Sequence, residues 1–444
     1  MSGITRLPRL PRLPRLPRLP RLPLLLSLVF AALLGGCTQA PHARREVLHF
    51  WAMGREGLVA ARLVQGFEKL HPDIRVEVQQ LPWTAAHAKL LTAYAGDTTP
   101  DVAQMGNTWI PEMAALRAIV PLDGYIAGSH IVTPSDYFPG IWTSNVIHGK
   151  AYGVPWYVDT RLIFYRKDIL AAAGFDHAPT SWAGWERMLA AIKARAKPGD
   201  WAALLPLNEF EPLVSLALEQ PGSFLRDGDQ YGNFESPQFE AALRFYLGFF
   251  RNGYAPRLDD TQVASVPIEF ARGHYAFYIS GPWMIREFER QMPAAAWGDW
   301  ATAPLPGPSG AASNSGIAGG ASLVIFRNSR HKAAAWKLIE YLSRPAVQDE
   351  FHRLTGDLPP RRSTWARPDI ASDSYAVAFR TQLEHARAVP KIAEYEQIVQ
   401  EMQTIAARAA WGKLSVAQAA AEMNQRTDAI LSERRWILRH GGLR

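Results

Sequence analysis

The residues best suited to hold a ligand lie in one short stretch, residues 152–166. Flat apolar rings stand there beside charged hydrogen-bonding groups: Trp156, Tyr157, Asp159 and Arg161. A sugar ring offers an apolar C–H face that stacks on aromatic side chains, and a rim of hydroxyl groups that carboxylates and guanidinium groups bind with charge-assisted hydrogen bonds. The stretch therefore indicates a carbohydrate site. The alternative is a strand whose Trp and Tyr belong to a hydrophobic core.

An alternation of strand and helix precedes this stretch and must build one side of the site. Residues 47–51 predict an apolar strand, the apolar periodicity of residues 59–70 predicts a helix, and residues 74–78 predict a second strand. Two strands joined in this way form a parallel pair with a right-handed crossover. Because ligands bind beyond the carboxyl ends of such strands, we expect Glu56 and Trp83 to lie at the site.

A second unit of the same kind supplies two further candidates. A helix over about residues 84–95 and a strand over residues 101–105 precede Asn107 and Trp109. Both residues again follow the carboxyl end of a strand. Each has an alternative role, since Asn107 could cap the helix that follows and Trp109 could be a core residue in the first helical turn.

The rest of the chain continues the alternation and predicts an α/β fold. Helices are expected over 179–195, 237–252 and 331–343 and near 372–387, 393–411 and 415–432, and strands over 276–279 and 322–326. A chain of 444 residues exceeds the ~250 to 300 residues at which single cores stop growing, so two lobes are expected. The polar, Gly- and Pro-rich segments at 304–320 and 355–362 are candidate connections between them.

The N-terminus predicts an export signal. An Arg-Leu-Pro motif occurs six times in residues 6–23, and the apolar run 24–34 follows and leads into Gly35-Gly36-Cys37. A basic segment, a short apolar segment and small residues before a cleavage point form a secretory signal that is too short to span a membrane. The ending resembles a bacterial lipobox, so residues 1–36 are predicted to be a lipoprotein signal peptide, Cys37 the lipidated residue, and residues 37–45 a tether.

Composition excludes several other classes. Cys37 is the only cysteine, so no disulfide within the chain is expected. Six of the 48 basic residues lie in the signal, which leaves 42 basic against 41 acidic residues and a net charge of +1. The mature chain is therefore not expected to bind nucleic acid. We expect an exported, lipid-anchored protein of the periplasm or cell envelope. Thr38 does not decide between inner and outer membrane.

A set of short motifs occurs in the order seen in the extracellular sugar-binding proteins of ABC importers. The chain resembles the maltose- and trehalose-binding branch of that family most. The resemblance covers nearly all of residues 46–432, and its motifs are Phe50-Trp51, Phe67-Glu68-Lys69 with Pro72, Thr99-Pro100-Asp101-Val102, Tyr152-Gly153-Val154-Pro155-Trp156, Tyr165-Arg166-Lys167-Asp168, Gly281-Pro282-Trp283, Gly319-Gly320, the Ala-Ala-Trp-Lys run at 334–337 and Gly356-Asp357-Leu358-Pro359.

The resemblance implies two lobes that close on a sugar and deliver it to ABC permease subunits in the membrane. Lobe one would comprise 46–158 plus 318–362, and lobe two 159–317 plus 363–444. The implied ligand-binding residues are Glu56, Trp83, Asn107, Trp109, Trp156, Tyr157, Asp159, Trp283, Gly320 and Arg361. Arg361 and Arg362 are not separable from the sequence, and Arg361 is favoured. The ligand would be a disaccharide or short oligosaccharide of maltose or trehalose type, although sucrose fits the same residues. A monomer without cofactor, metal or catalytic residues is expected.

The competing class is a lipid-anchored glycosidase, in which a carboxylate pair such as Glu56 and Asp159 would act as acid and base. The sequence lacks the short motifs of zinc proteases, α/β-hydrolases, Walker-type nucleotide sites and dinucleotide sites. Glycosidases have no such signature, so the missing motifs do not exclude them. The two classes differ in whether the protein converts an oligosaccharide to product. A sugar-binding scaffold without a ligand and a chemosensory adaptor are the remaining alternatives.

Overall fold

The structure is a computed structural model that describes residues 45–309 and 315–441. The predicted signal peptide (1–36) and the lipidation site Cys37 lie outside the described residues. Within the described ranges, no helix combines the length and the apolar character that crossing a membrane would need.

The first sheet, sheet A, has the strand order β2-β1-β3-β13-β6. Its strands are β1 (Glu46–Met53), β2 (Ile74–Leu81), β3 (Val102–Gly106), β6 (Val154–Asp159) and β13 (Gly319–Ile325). β1 is parallel to β2, with Glu46 opposite Ile74 and Met53 opposite Leu81, and β1 is also parallel to β3. The two predicted strand–helix–strand units are thus confirmed. β13 returns from far along the chain and pairs antiparallel with β3 and β6.

The second sheet, sheet B, has the order β12-β7-β11-β8. Its strands are β7 (Leu162–Arg166), β8 (Trp201–Leu204), β11 (Tyr275–Ser280) and β12 (Trp300–Ala303). β11 is parallel to β8, whereas β7 runs antiparallel to both β11 and β12. Only Thr160 and Arg161 separate β6 of sheet A from β7 of sheet B. The chain therefore passes from one sheet to the other at the stretch that carries Tyr157, Asp159 and Arg161.

Helices and short hairpins complete the fold. The helices are α1 (Gly54–Leu70), α2 (Trp83–Ala95), α3 (Ile110–Ala115), α4 (Asp123–Ala127), α5 (Pro139–Ser144), α6 (Lys167–Ala172), α7 (Trp182–Arg195), α8 (Glu211–Leu218), α9 (Pro237–Arg251), α10 (Val266–Ala271), α11 (Trp283–Gln291), α12 (Lys332–Leu342), α13 (Pro345–Thr355), α14 (Pro368–Ala371), α15 (Ala376–Leu383), α16 (Tyr395–Ala410), α17 (Val416–Ile430) and α18 (Ser432–Arg439). Two-residue strands pair as β4 (Val146–Ile147) with β5 (Lys150–Ala151) and β9 (Leu225–Arg226) with β10 (Tyr231–Gly232).

Local sequence explains where several helices begin. Ser181 caps α7 by accepting a hydrogen bond from the Gly184 amide, and Ser236 caps α9 in the same way. Apolar side chains on one face of α9 (Phe239, Leu243, Tyr246, Leu247 and Phe250) are buried, as the periodicity predicts. The C-terminal helices α16 and α17 join α9 in one hydrophobic cluster with residues of sheet B, and α12 packs in the cluster that includes sheet A.

Two predicted boundaries differ from the observed ones. The helix expected over 372–387 is only α15, because Asp373 accepts hydrogen bonds from the amides of Tyr375 and Ala376 and holds the chain in a turn before the helix. The loop expected over 304–320 ends earlier, because Gly319 and Gly320 already belong to β13.

Candidate ligand-binding site

A cavity of about 670 Å³ opens among the connections that follow the strands of both sheets. Its lining residues come from the turns after β1, β2 and β3, from the β6–β7 crossing, from the segments after β8 and β11, and from the end of α13. This is the position at which α/β sheets bind ligands. Eight of the ten residues expected at the ligand line this cavity: Glu56, Trp83, Asn107, Trp109, Tyr157, Asp159, Trp283 and Gly320.

Sheet A contributes an aromatic wall. Trp83 begins α2 directly after β2, and Trp109 lies on the turn after β3. Their rings meet edge to face with centroids 5.7 Å apart, an arrangement that aromatic pairs prefer. Trp83 is half-buried, so part of its surface stays free for a ligand. Trp109 is buried in a hydrophobic cluster as well as lining the cavity, so its two predicted roles do not exclude each other.

Asn107 ties this wall to the neighbouring strand. Its amide nitrogen donates to the carbonyl oxygen of Gly319 at 3.2 Å, and its amide oxygen accepts from the Ser322 hydroxyl at 2.7 Å. The side chain therefore does not cap a helix, which was the alternative expectation. It holds the start of β13, including Gly320, against the cavity.

The crossing between the sheets carries a buried ion-pair network. Arg161 is 4% exposed, and its Nη1 lies 2.8 and 2.7 Å from the two carboxylate oxygens of Asp159. Its Nη2 lies 2.9 Å from Glu211 at the start of α8. The guanidinium carbon also lies 4.6 Å from the centre of the Trp283 ring, a cation–π geometry. Arg161 thus connects the end of β6 to two segments that follow strands of sheet B.

Two glycines allow these groups to approach. Gly320 has φ +110°, a conformation that side chains rarely adopt, and a Cβ there would overlap the carbonyl oxygen of Tyr157. At Gly281 a Cβ would overlap the ring of Trp283 and would lie 2.6 Å from Asp159 Oδ1. The backbone therefore leaves room for the aromatic ring beside the carboxylate.

Carboxylates dominate the charge of the cavity. The lining contains Glu56, Asp159, Glu209, Glu211, Asp260, Glu287 and Asp357, against the two guanidinium groups of Arg55 and Arg161. Burial raises the pKa of Glu209 to about 7, and Arg161 offsets only part of that effect. Carboxylate oxygens accept hydrogen bonds, so the cavity is best matched by a ligand with many hydroxyl donors.

One end of the cavity is an acidic cluster around Tyr157. Burial raises the pKa of Glu56, although hydrogen bonds from Tyr157, Trp83 and Gln104 favour its charged form. Burial also raises the pKa of Asp357, and the charge of Glu56 adds to this effect. The amide of Gln104 also donates to the Tyr157 hydroxyl at 3.1 Å. Hydrogen bonds thus hold these groups in place before a ligand enters.

Trp156 does not lie at the cavity, and the expectation that it would is wrong. Its side chain is fully buried and stacks on Phe351 with ring centroids 4.5 Å apart. Successive side chains of a strand point to opposite faces, so Tyr157 and Asp159 reach the cavity, whereas Trp156, which directly precedes Tyr157, does not. The core role considered above as the alternative is the one that Trp156 has.

Arg361 is likewise absent from the cavity lining. It is 9% exposed, and its guanidinium binds Asp136 at 2.7 Å and the carbonyl oxygen of Ser343 at 2.9 Å. Arg362 forms an ion pair with Glu384 instead. Both guanidinium groups are engaged in contacts away from the cavity, so the expectation for Arg361 is corrected.

Three lining residues that are central to the site were not predicted: Glu209, Glu211 and Asp357. Arg161 was a candidate of the 152–166 stretch but was not among the ligand residues that the resemblance implies. The short strand β8 carried no clear pattern, and without it the rule on carboxyl ends of strands could not point to Glu209 and Glu211. Asp357 belongs to the motif Gly356-Asp357-Leu358-Pro359. Its position at the cavity follows from the end of α13 at Thr355, a helix that was not predicted.

Comparison with known proteins agrees with this geometry. The family of bacterial extracellular solute-binding proteins matches residues 55–349. The solved structure of the sugar-binding protein MalE from the phytopathogen Xanthomonas citri is 54% identical, with a TM-score of 0.83, and the match covers 88% of this chain and 99% of that one. The GacH receptor of Streptomyces glaucescens, solved unliganded and with acarbose, is 25% identical with a TM-score of 0.76, covering 88% and 99%. The diacetylchitobiose binding protein DasA of Streptomyces coelicolor is 26% identical over 311 residues, which are 68% of this chain and 70% of that protein.

The fold and the site therefore define a two-lobed solute-binding protein of the α/β class. The chain belongs to the bacterial extracellular solute-binding protein family, and within it to the sugar-binding proteins of ABC importers of the maltose-binding type.

Proposed function

We propose that the chain captures a disaccharide or short oligosaccharide of α-linked glucose units, of maltose or trehalose type, in the cavity between the sheets. The observation that carries the proposal is the pairing of aromatic faces with acceptors in one cavity. Trp83 and Trp109 line it from sheet A, Trp283 lines it from the side of sheet B, and seven carboxylates surround them. Stacking on sugar faces would contribute on the order of 1 kcal/mol per ring.

Discrimination between sugars follows from the same groups. Glu56, Asp159 and Asp357 are buried or half-buried, and each would accept a hydroxyl of the bound sugar. A sugar that lacks one of these hydroxyls would leave a desolvated acceptor unpaired, which costs about 1 to 3 kcal/mol. Binding should therefore be selective among disaccharides of equal size.

The proposed mechanism is closure of two lobes, 46–158 plus 318–362 and 159–317 plus 363–444. Supporting this division, sheet A lies in the first and sheet B in the second, with the boundary next to Asp159. A ligand that contacts both lobes favours the closed state through contacts made only there. ABC permease subunits would recognise that closed form and accept the sugar.

We also propose that Cys37 carries a lipid anchor and that residues 37–45 tether the folded part to the membrane, so that the protein acts at the cell envelope. The lipobox-like ending Leu34-Gly35-Gly36-Cys37 supports this. Relatives named for sugar ligands support the substrate class: the MalE structure is described as a sugar-binding protein, and GacH was solved with acarbose.

A tryptophan fluorescence titration of residues 38–444, without the lipid, tests the function. Maltose, trehalose, sucrose and longer maltooligosaccharides form the panel. We expect a saturable signal with an α-glucoside at micromolar concentration, which corresponds to about 8 kcal/mol. A folded protein that responds to no sugar of the panel would contradict the proposal. Release of a shorter sugar after prolonged incubation would indicate the glycosidase instead.

A further inference from the structure

A histidine supports the aromatic wall of the cavity without lining the cavity itself. The ring of His87, on α2, has its centroid 5.1 Å from that of Trp109, and His87 is not a lining residue. Its Nε2 lies 2.6 Å from a carboxylate oxygen of Glu112 on α3. Both side chains of this pair are partly buried, with 28% and 17% of their surfaces exposed. The pair therefore holds the His87 ring in place beside Trp109.

A second carboxylate reaches His87 from the C-terminal part of the chain. Glu396 lies in the first turn of α16, and α16 packs against the turn 107–109 that follows β3. Burial raises the pKa of Glu396, while a hydrogen bond from Thr108 and the charge of His87 favour its charged form. In the division proposed above, His87 and Thr108 belong to the first lobe and Glu396 to the second. The contact therefore joins the two lobes beside the sugar cavity.

Glu396 depends on His87 for an opposite charge. Its Oε1 is buried and has no hydrogen-bond partner among the residues that the structure describes. The neighbouring carboxylates of Glu211 and Glu112 repel it, and the nearby guanidinium of Arg161 is already paired with Glu211 at 2.9 Å. Burying a charge is costly unless an opposite charge compensates it. The approach of Glu396 to the first lobe is therefore most favourable when His87 is protonated.

We propose that Glu396 is a positioning residue for sugar binding, which pairs with the protonated His87 and so holds α16 against the turn 107–109 when the lobes close. The proposal rests on the function proposed above, because it assumes that two lobes close on a sugar. Neither side chain would touch the sugar. Their effect would reach the ligand through Thr108 and Trp109, which line the cavity, and it would favour the closed state in acid.

The sign of the pH dependence follows from this geometry. Closure brings the Glu396 carboxylate to the imidazolium, so the closed form holds the His87 proton more tightly than the open form, and closure takes up protons. Burial lowers the pKa of His87, but Glu112 and Glu396 raise it above its ordinary value. The affinity gained through the pair is therefore present at low pH and lost as the pH rises through that pKa. The cavity carboxylates have the opposite effect, because sugar hydroxyls donate to their charged forms, so variants must be compared at each pH.

Calorimetric titration at pH 5.5 and pH 8.5 tests this role, with whichever of maltose, trehalose and sucrose binds the wild type most tightly. The variants are His87→Gln, Glu396→Gln, the double variant, and the control His331→Gln, which removes an equally short 2.6 Å contact with Glu46 at the start of β1. We expect each single variant to weaken binding about three- to fivefold at pH 5.5 and not at pH 8.5. The double variant should bind no more weakly than either single variant, and His331→Gln should match the wild type at both pH values.

The other outcomes refute the positioning role in distinguishable ways. Equal weakening by His87→Gln at both pH values would mean that His87 only supports Trp109. Effects of His87→Gln and Glu396→Gln that multiply in the double variant would mean that the two side chains do not act as a pair. If every variant binds the sugar as the wild type does, the role is refuted and the proposed function stands. If the wild type binds none of the three sugars, the proposed function is contradicted and the positioning role fails with it.

Discussion

Removing the charge of Arg161 should lower the folding stability of the protein. The guanidinium is buried and bridges Asp159 and Glu211 at 2.7 and 2.9 Å. In Arg161→Met the stem is replaced by a side chain of similar length, but both carboxylates lose their partner. Breaking a buried ion pair by removing one partner costs about 3 to 5 kcal/mol of folding stability, and we expect a loss in this range at pH 8.

The loss should shrink in acid. Burial already raises the pKa of Asp159, while Arg161 counteracts that rise. Without Arg161 the folded-state pKa of Asp159 lies still further above its unfolded value, so the folded variant binds a proton that the unfolded chain releases. Stability of the variant is therefore favoured at low pH and falls as the pH rises through that pKa. Each unit of additional shift corresponds to about 1.4 kcal/mol.

Urea unfolding of residues 38–444 at pH 5 and pH 8 measures both quantities. The matched control is Arg362→Met, which breaks the partly exposed pair with Glu384 and should cost about 1 kcal/mol or less at either pH. A loss below about 1 kcal/mol for Arg161→Met at pH 8, or a loss that grows in acid, would refute the reasoning.

Three further predictions concern single side chains. Trp156→Ala should cost about 3 to 5 kcal/mol in urea unfolding and change sugar affinity less than about twofold, because the ring is core; lost affinity at unchanged stability would contradict this. Burial raises the pKa of Glu209 from its ordinary value of 4.5 to about 7 in the folded protein. The stability of the ligand-free protein should therefore fall as the pH rises between these two values. Glu209→Gln should remove that dependence and gain about 1 to 2 kcal/mol at pH 8, and an unchanged pH profile would count against it. Burial alone would lower the pKa of His87, but its 2.6 Å hydrogen bond to Glu112 raises it. His87→Gln should therefore destabilise by about 1 kcal/mol below pH 6 and by less as pH rises through the folded-state pKa of His87; equal losses at pH 5.5 and pH 8.5 would contradict it.

Much of sheet A could be predicted because its signals are local. The apolar strand at β1, the periodic face of α1 and the alternation of β2 each depend on residues close in sequence, and together they place Glu56 and Trp83 at the carboxyl ends of parallel strands. Eight of the ten candidate positions line the cavity. Two of these eight, Trp283 and Gly320, were expected there because of the family resemblance and not because of a local pattern.

The errors arose where a residue's surroundings come from distant parts of the chain. Trp156 packs on Phe351, almost 200 positions away, although the alternation along β6 contained the information that it and Tyr157 face opposite sides. Arg361 is bound by Asp136, and nothing near position 361 indicates that partner.

Sheet B was harder to predict for a related reason. β8 has four residues, Trp201-Ala-Ala-Leu204, which is too short to establish a period. No prediction was therefore made for Glu209. Its role depends on Arg161, which reaches the same region from the crossing between the sheets.

The most direct test of the central claim is a calorimetric comparison of Trp283→Ala with Trp411→Ala, using the sugar that the wild type binds. Trp283 lines the cavity and lies over Arg161, whereas Trp411 is exposed and does not line the cavity. If the cavity between the sheets is the sugar site, Trp283→Ala weakens binding at least about tenfold, or 1.4 kcal/mol, and Trp411→Ala leaves it unchanged. Equal affinities for the two variants would contradict the claim.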